Sequence, residues 1–260
     1  MTVQTQRLAL VTGASRGIGR HIALGLLEAG HTVIAVSRNS FDTEGLSSSQ
    51  KSSIISINGD VSDHLFIEKL ERQISKEHGA VQILVNSAGV FGPFASIQNT
   101  DPDEWARTII IDAIAPYYTA RYFLPAMLER KWGRVINVGS AASLHTPGPL
   151  YSAYGTAKVA LNQLTRQIAS EIAGSGVTAN VIHPGEVQSE MWVDIQTKTA
   201  ALGKAGNNQQ VWVDWVDETG GDDPKKAADL VLKLVSAESD EVNGSFCWID
   251  NPLQAPIPSW

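Results

Sequence analysis

Short apolar segments alternate with amphipathic stretches of helix length along most of this 260-residue chain. The apolar segments are rich in β-branched residues, as strands buried on both faces of a sheet are. They cover residues 8–12, 32–36, 54–58, 81–85, 134–138, 178–182 and 246–249. The helical stretches cover residues 18–29, 64–77, 105–115, 116–130 and 153–173. Because such alternation requires crossover connections, it predicts an α/β fold with a doubly wound parallel sheet of about seven strands and helices on both faces.

Two segments depart from the alternation. Residues 39–53 are polar and serine-rich, which predicts a loop with at most one helical turn. Residues 186–222 have no clean helical period and carry several tryptophans among polar residues. A helix is expected to start at Asp223 and Pro224, since proline favours the first helical turn. No break in composition and no repeat divides the chain, so we predict a single domain over residues 1–260.

The composition excludes several partners. The chain has 20 Lys and Arg against 27 Asp and Glu, a formal net charge of −7, whereas nucleic-acid binding requires a basic surface. The single cysteine, Cys247, and six dispersed histidines show no zinc spacing, so no metal is expected. No apolar run is long enough to span a membrane, and the first residues do not resemble a secretory signal. We therefore expect a cytoplasmic protein without a nucleic-acid or membrane partner.

A glycine-rich turn joins the first strand to the first helix. The turn presents free backbone N–H groups and the positive end of a helix dipole at one point, which suits a pyrophosphate. Gly13 would permit the tight turn, Gly17 would let a diphosphate approach the backbone, and Gly19 would let the helix lie close to the sheet. The candidate cofactor-binding residues here are Gly13, Ser15, Arg16, Gly17, Ile18 and Gly19. An ordinary glycine-rich turn is the alternative.

The end of the second strand indicates which dinucleotide binds. An NAD enzyme of doubly wound type places an acidic residue there for the ribose 2′-hydroxyl, but residues 36–38 read Val-Ser-Arg. Arg38 and Arg16 are instead placed to bind a 2′-phosphate with their guanidinium groups. NADP(H) is therefore the predicted cofactor. Asp60 and Val61, after the third strand, are expected to meet the adenine ring.

Tyr154 and Lys158 lie four residues apart and so share one helix face. An ammonium near a phenol favours the phenolate and lowers the pKa of the tyrosine, which would make Tyr154 a usable proton donor. Ser140 follows the fifth strand, at the sheet edge where ligands bind. A solvated ion pair on the helix surface is the alternative.

These motifs together resemble those of the short-chain dehydrogenase/reductase family, in its NADP(H)-preferring form, over nearly the whole chain. Residues 12–19 resemble the family's T-G-x-x-x-G-x-G motif, 86–89 its N-N-A-G motif, and 180–185 its N-x-x-x-P-G segment. The resemblance implies a Rossmann-type domain in which Ser140, Tyr154 and Lys158 form the catalytic triad, with Tyr154 as general acid. It adds Asn86, Ala88, Gly89, Pro184, Gly185, Val187 and Ser189 to the cofactor-binding set, which also includes Tyr154 and Lys158.

Two departures from the family affect the catalytic set. Asp112, counted from Trp105, stands where the family has the asparagine of its catalytic tetrad, and its charge is expected to hold Lys158 protonated. The separation between Ser140 and Tyr154 is one residue longer than the family's commonest spacing. Ser143 is therefore a competing candidate for the catalytic serine.

Residues 186–222 correspond to the family's variable substrate lid. Tyr151, Trp192 and Trp212 are the predicted substrate contacts, with Met191, Val211 and Trp215 as further parts of an apolar wall. Packing of the lid or a subunit contact is the alternative role for these tryptophans.

The leading hypothesis for the function is an NADPH-dependent ketone or aldehyde reductase. The alternatives are an NADP-dependent secondary alcohol dehydrogenase, a ketoacyl-type reductase, and a non-catalytic NADP-binding sensor or scaffold. The resemblance also implies a homodimer or homotetramer.

Overall fold

The structure is a computed structural model that describes residues 6–250, and its centre is a seven-stranded parallel sheet. The strands are β1 (Leu8–Thr12), β2 (Thr32–Ser37), β3 (Ile54–Asn58), β4 (Ile83–Asn86), β5 (Gly133–Val138), β6 (Val177–His183) and β7 (Phe246–Trp248). Their order is β3-β2-β1-β4-β5-β6-β7, which confirms the predicted fold class. The chain reverses its direction across the sheet between β1 and β4, and such a switch point forms a ligand crevice at the carboxyl ends of the strands. Residues 1–5 and 251–260 of the predicted domain lie outside the described residues.

Helices cover both faces of the sheet. They are α1 (Gly17–Glu28), α2 (Ser48–Ser53), α3 (His64–Glu77), α4 (Pro102–Ile109), α5 (Ala115–Glu129), α6 (Ser152–Glu171), α7 (Glu190–Leu202), α8 (Asn207–Thr219) and α9 (Lys225–Val235). One core cluster joins the sheet to α3, α5 and α6, and a second joins it to α1 and α9. Consecutive residues of β1 belong to different clusters: Leu10 packs in the first and Val11 in the second. This follows from the two-residue period of a strand.

The structure corrects the prediction for the first of the two irregular segments. Residues 39–53 are not a loop with at most one turn, because α2 occupies the last six of them. A capping box starts this helix: the Ser47 hydroxyl accepts from the Gln50 N–H while the Gln50 side chain accepts from the Ser47 N–H. The segment 186–222 contains α7 and α8. These helices pack on a separate apolar cluster away from the main sheet, so each buries only a narrow face and shows little sequence period.

The helices before β5 differ from their predicted bounds. Asp101 caps α4 by accepting a hydrogen bond from the Glu104 N–H, so the helix begins before residue 105. Between α4 and α5 the chain forms a π-helical turn, Ile110–Ile114, which carries Asp112. Such turns often occur at functional sites.

Within residues 6–250, no helix is both long and apolar enough to cross a membrane.

Candidate active site

The glycine-rich turn brings the end of β1 against the end of β4. Gly13 has a φ of +67°, and a Cβ on this residue would lie 2.7 Å from the Cα of Ala88. The Thr12 hydroxyl accepts hydrogen bonds from the N–H groups of Ser87 and Ala88, each at 3.1 Å. The close approach of the two strand ends therefore depends on a residue without a side chain at position 13.

The first turn of α1 is open to an anion. Its N-terminal residue, Arg16, makes no capping hydrogen bond through its side chain, and no acidic residue lies in the first turn. Gly17, Ile18 and Gly19 line a cavity of about 290 Å³, which we call the nucleotide cleft. Free N–H groups at a helix N-terminus bind phosphate, so the residues present fit the pyrophosphate of a dinucleotide.

The nucleotide cleft also contains the residues predicted to bind the adenosine. Arg16, Arg38, Asp60 and Val61 all line it. The Asp60 carboxylate accepts from the N–H and the hydroxyl of Ser62 and pairs with Arg107 at 3.4 Å. Burial tends to raise the pKa of Asp60, but the Ser62 hydrogen bonds, Arg107 and Arg38 lower it below its usual value.

Arg107 also lines the nucleotide cleft, although the sequence analysis did not identify it. It belongs to α4, and no motif at this position marks it as a ligand. Only the tertiary packing of α4 beside the end of β3 brings its guanidinium to Asp60.

The three residues of the predicted triad meet where two cavities join. Tyr154 lines both the nucleotide cleft and a second cavity of about 550 Å³, which we call the substrate cavity. Ser140 lines the substrate cavity, and its side chain is close enough to Tyr154 to lower the pKa of the phenol. Lys158 lines the nucleotide cleft, and its Nζ donates to the Val138 carbonyl at 3.1 Å.

Asp112 is buried behind this group. One of its carboxylate oxygens accepts from the Val90 N–H at 2.8 Å, and the other lies 3.1 Å from the Lys158 Nζ. Asp112 lines neither cavity. It therefore acts on the site through Lys158, as a positioning residue rather than as the catalytic residue it was predicted to be.

The charges of these buried groups are coupled. Burial lowers the pKa of Lys158, but Asp112 and Tyr154 outweigh burial and raise it, so the amine is held protonated as predicted. Burial raises the pKa of the Asp112 carboxyl, with Lys158 opposing. Burial also raises the pKa of Tyr154; Lys158 lowers it and Asp112 raises it further. The predicted net decrease in the tyrosine pKa is therefore wrong for the protein without ligand, because desolvation exceeds the effect of the lysine.

The competing serine is engaged elsewhere. The Ser143 hydroxyl donates to the Ser140 carbonyl at 2.6 Å and accepts from the Asn162 amide at 2.8 Å. Ser143 does not line the substrate cavity, whereas Ser140 does. The geometry favours Ser140.

The remaining predicted cofactor residues divide into four groups. Ala88 and Gly89 line the nucleotide cleft, and Pro184 and Ser189 line both cavities. Gly185 and Val187 line only the substrate cavity. Asn86 lines neither: its amide donates to Asn137 and its carbonyl accepts from the Thr119 hydroxyl. Asn86 therefore ties the sheet to α5 instead of contacting a cofactor.

Aromatic side chains form much of the wall of the substrate cavity. Tyr151, Trp192 and Trp212 line it as predicted, and the two tryptophan rings meet edge to face at 4.8 Å. Met191 also lines it. The prediction for Val211 and Trp215 is wrong, since they lie on the outer face of α8 and are 71% and 51% exposed.

Two further aromatic residues, Phe91 and Phe94, complete the wall. They follow β4 in a segment without helix or strand period, so only the tertiary structure reveals them. Within the described part of the chain, no three His, Cys, Asp or Glu side chains are grouped to hold a metal ion.

Comparison with known proteins agrees with this geometry. The family model described as short chain dehydrogenase matches residues 7–200. The chain is 34% identical to 2-keto-3-deoxy-L-fuconate dehydrogenase of Xanthomonas campestris over 93% of this chain and 78% of that protein. It is 32% identical to 3-oxoacyl-[acyl-carrier-protein] reductase FabG of Vibrio harveyi over 92% of this chain and 93% of that protein.

A solved structure is similar along its whole length. The ligand-free aldohexose dehydrogenase of Thermoplasma acidophilum superposes with a TM-score of 0.78 at 26% identity, covering 98% of this chain and 97% of that one. The family's enzymes bind NAD(P)(H) and act on CH–OH or C=O groups. The nucleotide cleft fits the first of these properties, and the group formed by Ser140, Tyr154 and Lys158 fits the second. The chain belongs to the short-chain dehydrogenase/reductase family and is an oxidoreductase of that class.

Proposed function

We propose that this protein is an NADPH-dependent reductase of ketones or aldehydes. The observation that carries the proposal is the position of Tyr154, which lies at the junction of the two cavities with the Ser140 side chain beside it. Burial raises the pKa of Tyr154, so the phenol keeps its proton at neutral pH. A protonated phenol beside the substrate cavity is the state required to reduce a carbonyl group.

The side chains of the site have distinct tasks in this reaction. When bound, the reduced nicotinamide supplies a hydride to the carbonyl carbon. Tyr154 gives its proton to the carbonyl oxygen, so C=O becomes CH–OH, and Ser140 donates a hydrogen bond to the same oxygen. Lys158, held by Asp112 and the Val138 carbonyl, keeps a positive charge close to the phenol as it loses its proton. The aromatic wall limits access of water to the reacting atoms.

We propose NADP(H) rather than NAD(H) as the cofactor. Arg16 and Arg38 both line the nucleotide cleft, and the end of β2 offers no carboxylate for a ribose 2′-hydroxyl. Replacement of Arg38 by alanine should lower kcat/KM for NADPH by about tenfold or more, since a hydrogen-bonded charge pair with phosphate is lost. The value for NADH should change little.

Arg72→Ala is the control, because it removes an exposed arginine on α3 that does not line the cleft. Steady-state rates with both cofactors measure the effect. Equal losses with NADPH and NADH would contradict the assignment of Arg38 to the 2′-phosphate.

A second candidate is a 3-oxoacyl thioester reductase. The similarity to the Vibrio harveyi enzyme of that name supports it. Acetoacetyl thioesters and aryl ketones compared at equal concentration distinguish the candidates, and the aromatic substrate cavity favours the ketones. Oxidation of secondary alcohols with NADP would instead indicate that the reaction runs as a dehydrogenase.

We further propose a cytoplasmic homo-oligomer, as a dimer or tetramer. The buried, unpaired Cys247 is consistent with a reducing compartment. Exposed apolar side chains on α5 and α6, among them Tyr117 and Val159, support contacts between copies of the chain.

A further inference from the structure

Glu186 is an acidic residue in the wall of the substrate cavity. Its backbone is fixed by Asp222: the Glu186 N–H donates to the Asp222 carboxylate at 3.0 Å, and the Glu186 carbonyl accepts from the Asp222 N–H at 2.9 Å. Asp222 is in turn bound by Lys226 at 2.8 Å. The Glu186 side chain is 26% exposed. It is therefore a positioned carboxylate that a ligand in the cavity can reach.

No donor within the described residues satisfies this carboxylate. Its ion-pair partner among the described residues is the Nε2 of His183 at 3.7 Å, beyond hydrogen-bond distance. The Nδ1 of His183 accepts from the Gly185 N–H, so the ring carries its proton on Nε2. Burial lowers the pKa of His183 to about 4, which keeps the ring neutral. Glu186 thus faces the cavity without a cation to neutralise it.

The rest of the cavity wall also favours the binding of a cation. Its described lining includes no lysine or arginine, and its other ionisable side chains are His145, His183, Tyr151 and Tyr154. Aromatic ring faces attract cations, and Phe91, Trp192 and Trp212 supply such rings. An ammonium group would therefore be favoured in this cavity, whereas a substrate carboxylate would meet Glu186 and no counter-charge.

We infer that the substrates are apolar or aromatic carbonyl compounds that also carry a basic amine, and that Glu186 is the specificity-determining residue that binds the ammonium group. The inference rests on the proposed carbonyl reduction, in which Ser140 and Tyr154 hold the other end of the substrate. The Glu186 carboxylate is near enough to Tyr154 to act on its pKa, so one molecule of modest size can reach both.

The binding of an ammonium group by Glu186 should also depend on pH. Burial and the negative charge of Asp222 raise the pKa of Glu186 to about 7. The other titratable groups around it are His183, which stays neutral, and Tyr154, which keeps its proton. The carboxylate should therefore gain charge as the pH rises through neutrality, while an alkyl or benzylic amine, a stronger base than this carboxylate, stays largely protonated up to about pH 8.

Calorimetric titration in the presence of NADP⁺ tests the inference without turnover, because a ketone and an oxidised cofactor do not react. The two ligands are para-(aminomethyl)acetophenone and para-ethylacetophenone, which have nearly the same shape and differ in the amine. At about pH 8, above the pKa of Glu186, the amine should bind about tenfold more tightly, the scale of a hydrogen bond to a charged group. The preference should approach one in Glu186→Gln.

Glu218→Gln is the matched control, since it removes the same charge from an exposed position on α8. It should retain the tenfold preference. In the unmodified protein the preference should also fall several-fold between about pH 8 and about pH 6, as the carboxylate takes up a proton. This second measurement does not depend on whether the variant folds.

Equal affinities for the two ligands in the unmodified protein, or an unchanged preference in Glu186→Gln, would overturn the inference. Failure of the proposed function is seen separately: it is the absence of NADPH oxidation with para-(aminomethyl)acetophenone, with para-ethylacetophenone and with every other ketone. Reduction of neutral ketones without any preference for the amine would leave the proposed function intact and exclude the role of Glu186.

Discussion

At the scale of single residues, the pairing of Asp112 with Lys158 sets this site apart. An asparagine at this position would keep the hydrogen bond from the Val90 N–H but would lack the charge that faces Lys158 at 3.1 Å. The carboxylate raises the pKa of both Lys158 and Tyr154. The direct effect on Tyr154 favours the protonated phenol, the form that donates a proton to a carbonyl oxygen, whereas the charged Lys158 favours the phenolate that remains after the transfer.

Asp112→Asn is therefore expected to shift the pH dependence of the reaction. Without the negative charge, the pKa of Tyr154 should fall, because one of the causes that raise it is gone. Alcohol oxidation, which needs the phenolate as base, should then reach half of its maximal kcat at a pH lower by about one unit. The measurement is kcat for NADP-dependent alcohol oxidation across pH, and an unshifted profile would contradict the role given to Asp112.

Individual residues also show which parts of the site can be predicted from the sequence and which cannot. The glycines of the first turn and the Tyr154 and Lys158 pair were identifiable because local geometry fixes their spacing. Arg107 and Phe91 were not, because only the packing of distant segments brings them to the cavities. The net direction of the Tyr154 pKa was missed because burial is a property of the folded chain.

At the scale of secondary structure elements, α1 and α9 pack closely on one face of the sheet. A Cβ at Gly25 would lie 2.9 Å from the Cβ of Ala228. This contact matters to the site because α1 carries the first turn of the nucleotide cleft.

Gly25→Ala is expected to lower the free energy of unfolding by about 1–3 kcal/mol, the usual cost of adding atoms to a packed core. The second substitution Ala228→Gly should recover part of the loss, since it removes the opposing Cβ. Glu28→Ala, on the exposed end of α1, is the control. Denaturant titration measures the unmodified protein, the three single variants and the double variant, and a fully additive double variant would show that the two positions do not share this contact.

Elements also show why some of the fold was predictable and some was not. The inner strands of the sheet are buried on both faces, which leaves a continuous apolar signal in the sequence, while the edge strand β3 is only partly buried. β1 and β3 have the predicted bounds, and most other strands differ by one or two residues. The lid helices α7 and α8 gave no comparable signal, because Val193, Val211 and Trp215 are exposed apolar residues that blur the helical period.

At the scale of the whole molecule, exposed apolar surface supports association of copies of the chain. Val159 on α6 is 45% exposed and Tyr117 on α5 is 48% exposed. A charge placed within a contact between copies would be desolvated without a partner.

Val159→Glu is accordingly expected to shift the protein towards smaller species, with a loss of about tenfold or more in association constant. Val193→Glu is the matched control, because it places the same charge at an exposed valine on α7. Sedimentation velocity at several concentrations measures the effect. If both variants keep the mass of the unmodified protein, the contact does not involve this face of α6.

The central claim concerns the whole catalytic assembly: two cavities meet at Tyr154, and its phenol protonates a carbonyl oxygen. The most direct test is the steady-state rate of NADPH oxidation with an aryl ketone, for the unmodified protein and for Tyr154→Phe. Tyr151→Phe, which also lines the substrate cavity, is the control. We predict measurable turnover by the unmodified protein and a loss in kcat of about 10²–10⁴-fold in Tyr154→Phe, the usual contribution of a general acid. Retention of most of the activity in Tyr154→Phe, or tight NADPH binding without turnover of any carbonyl compound, would contradict the account.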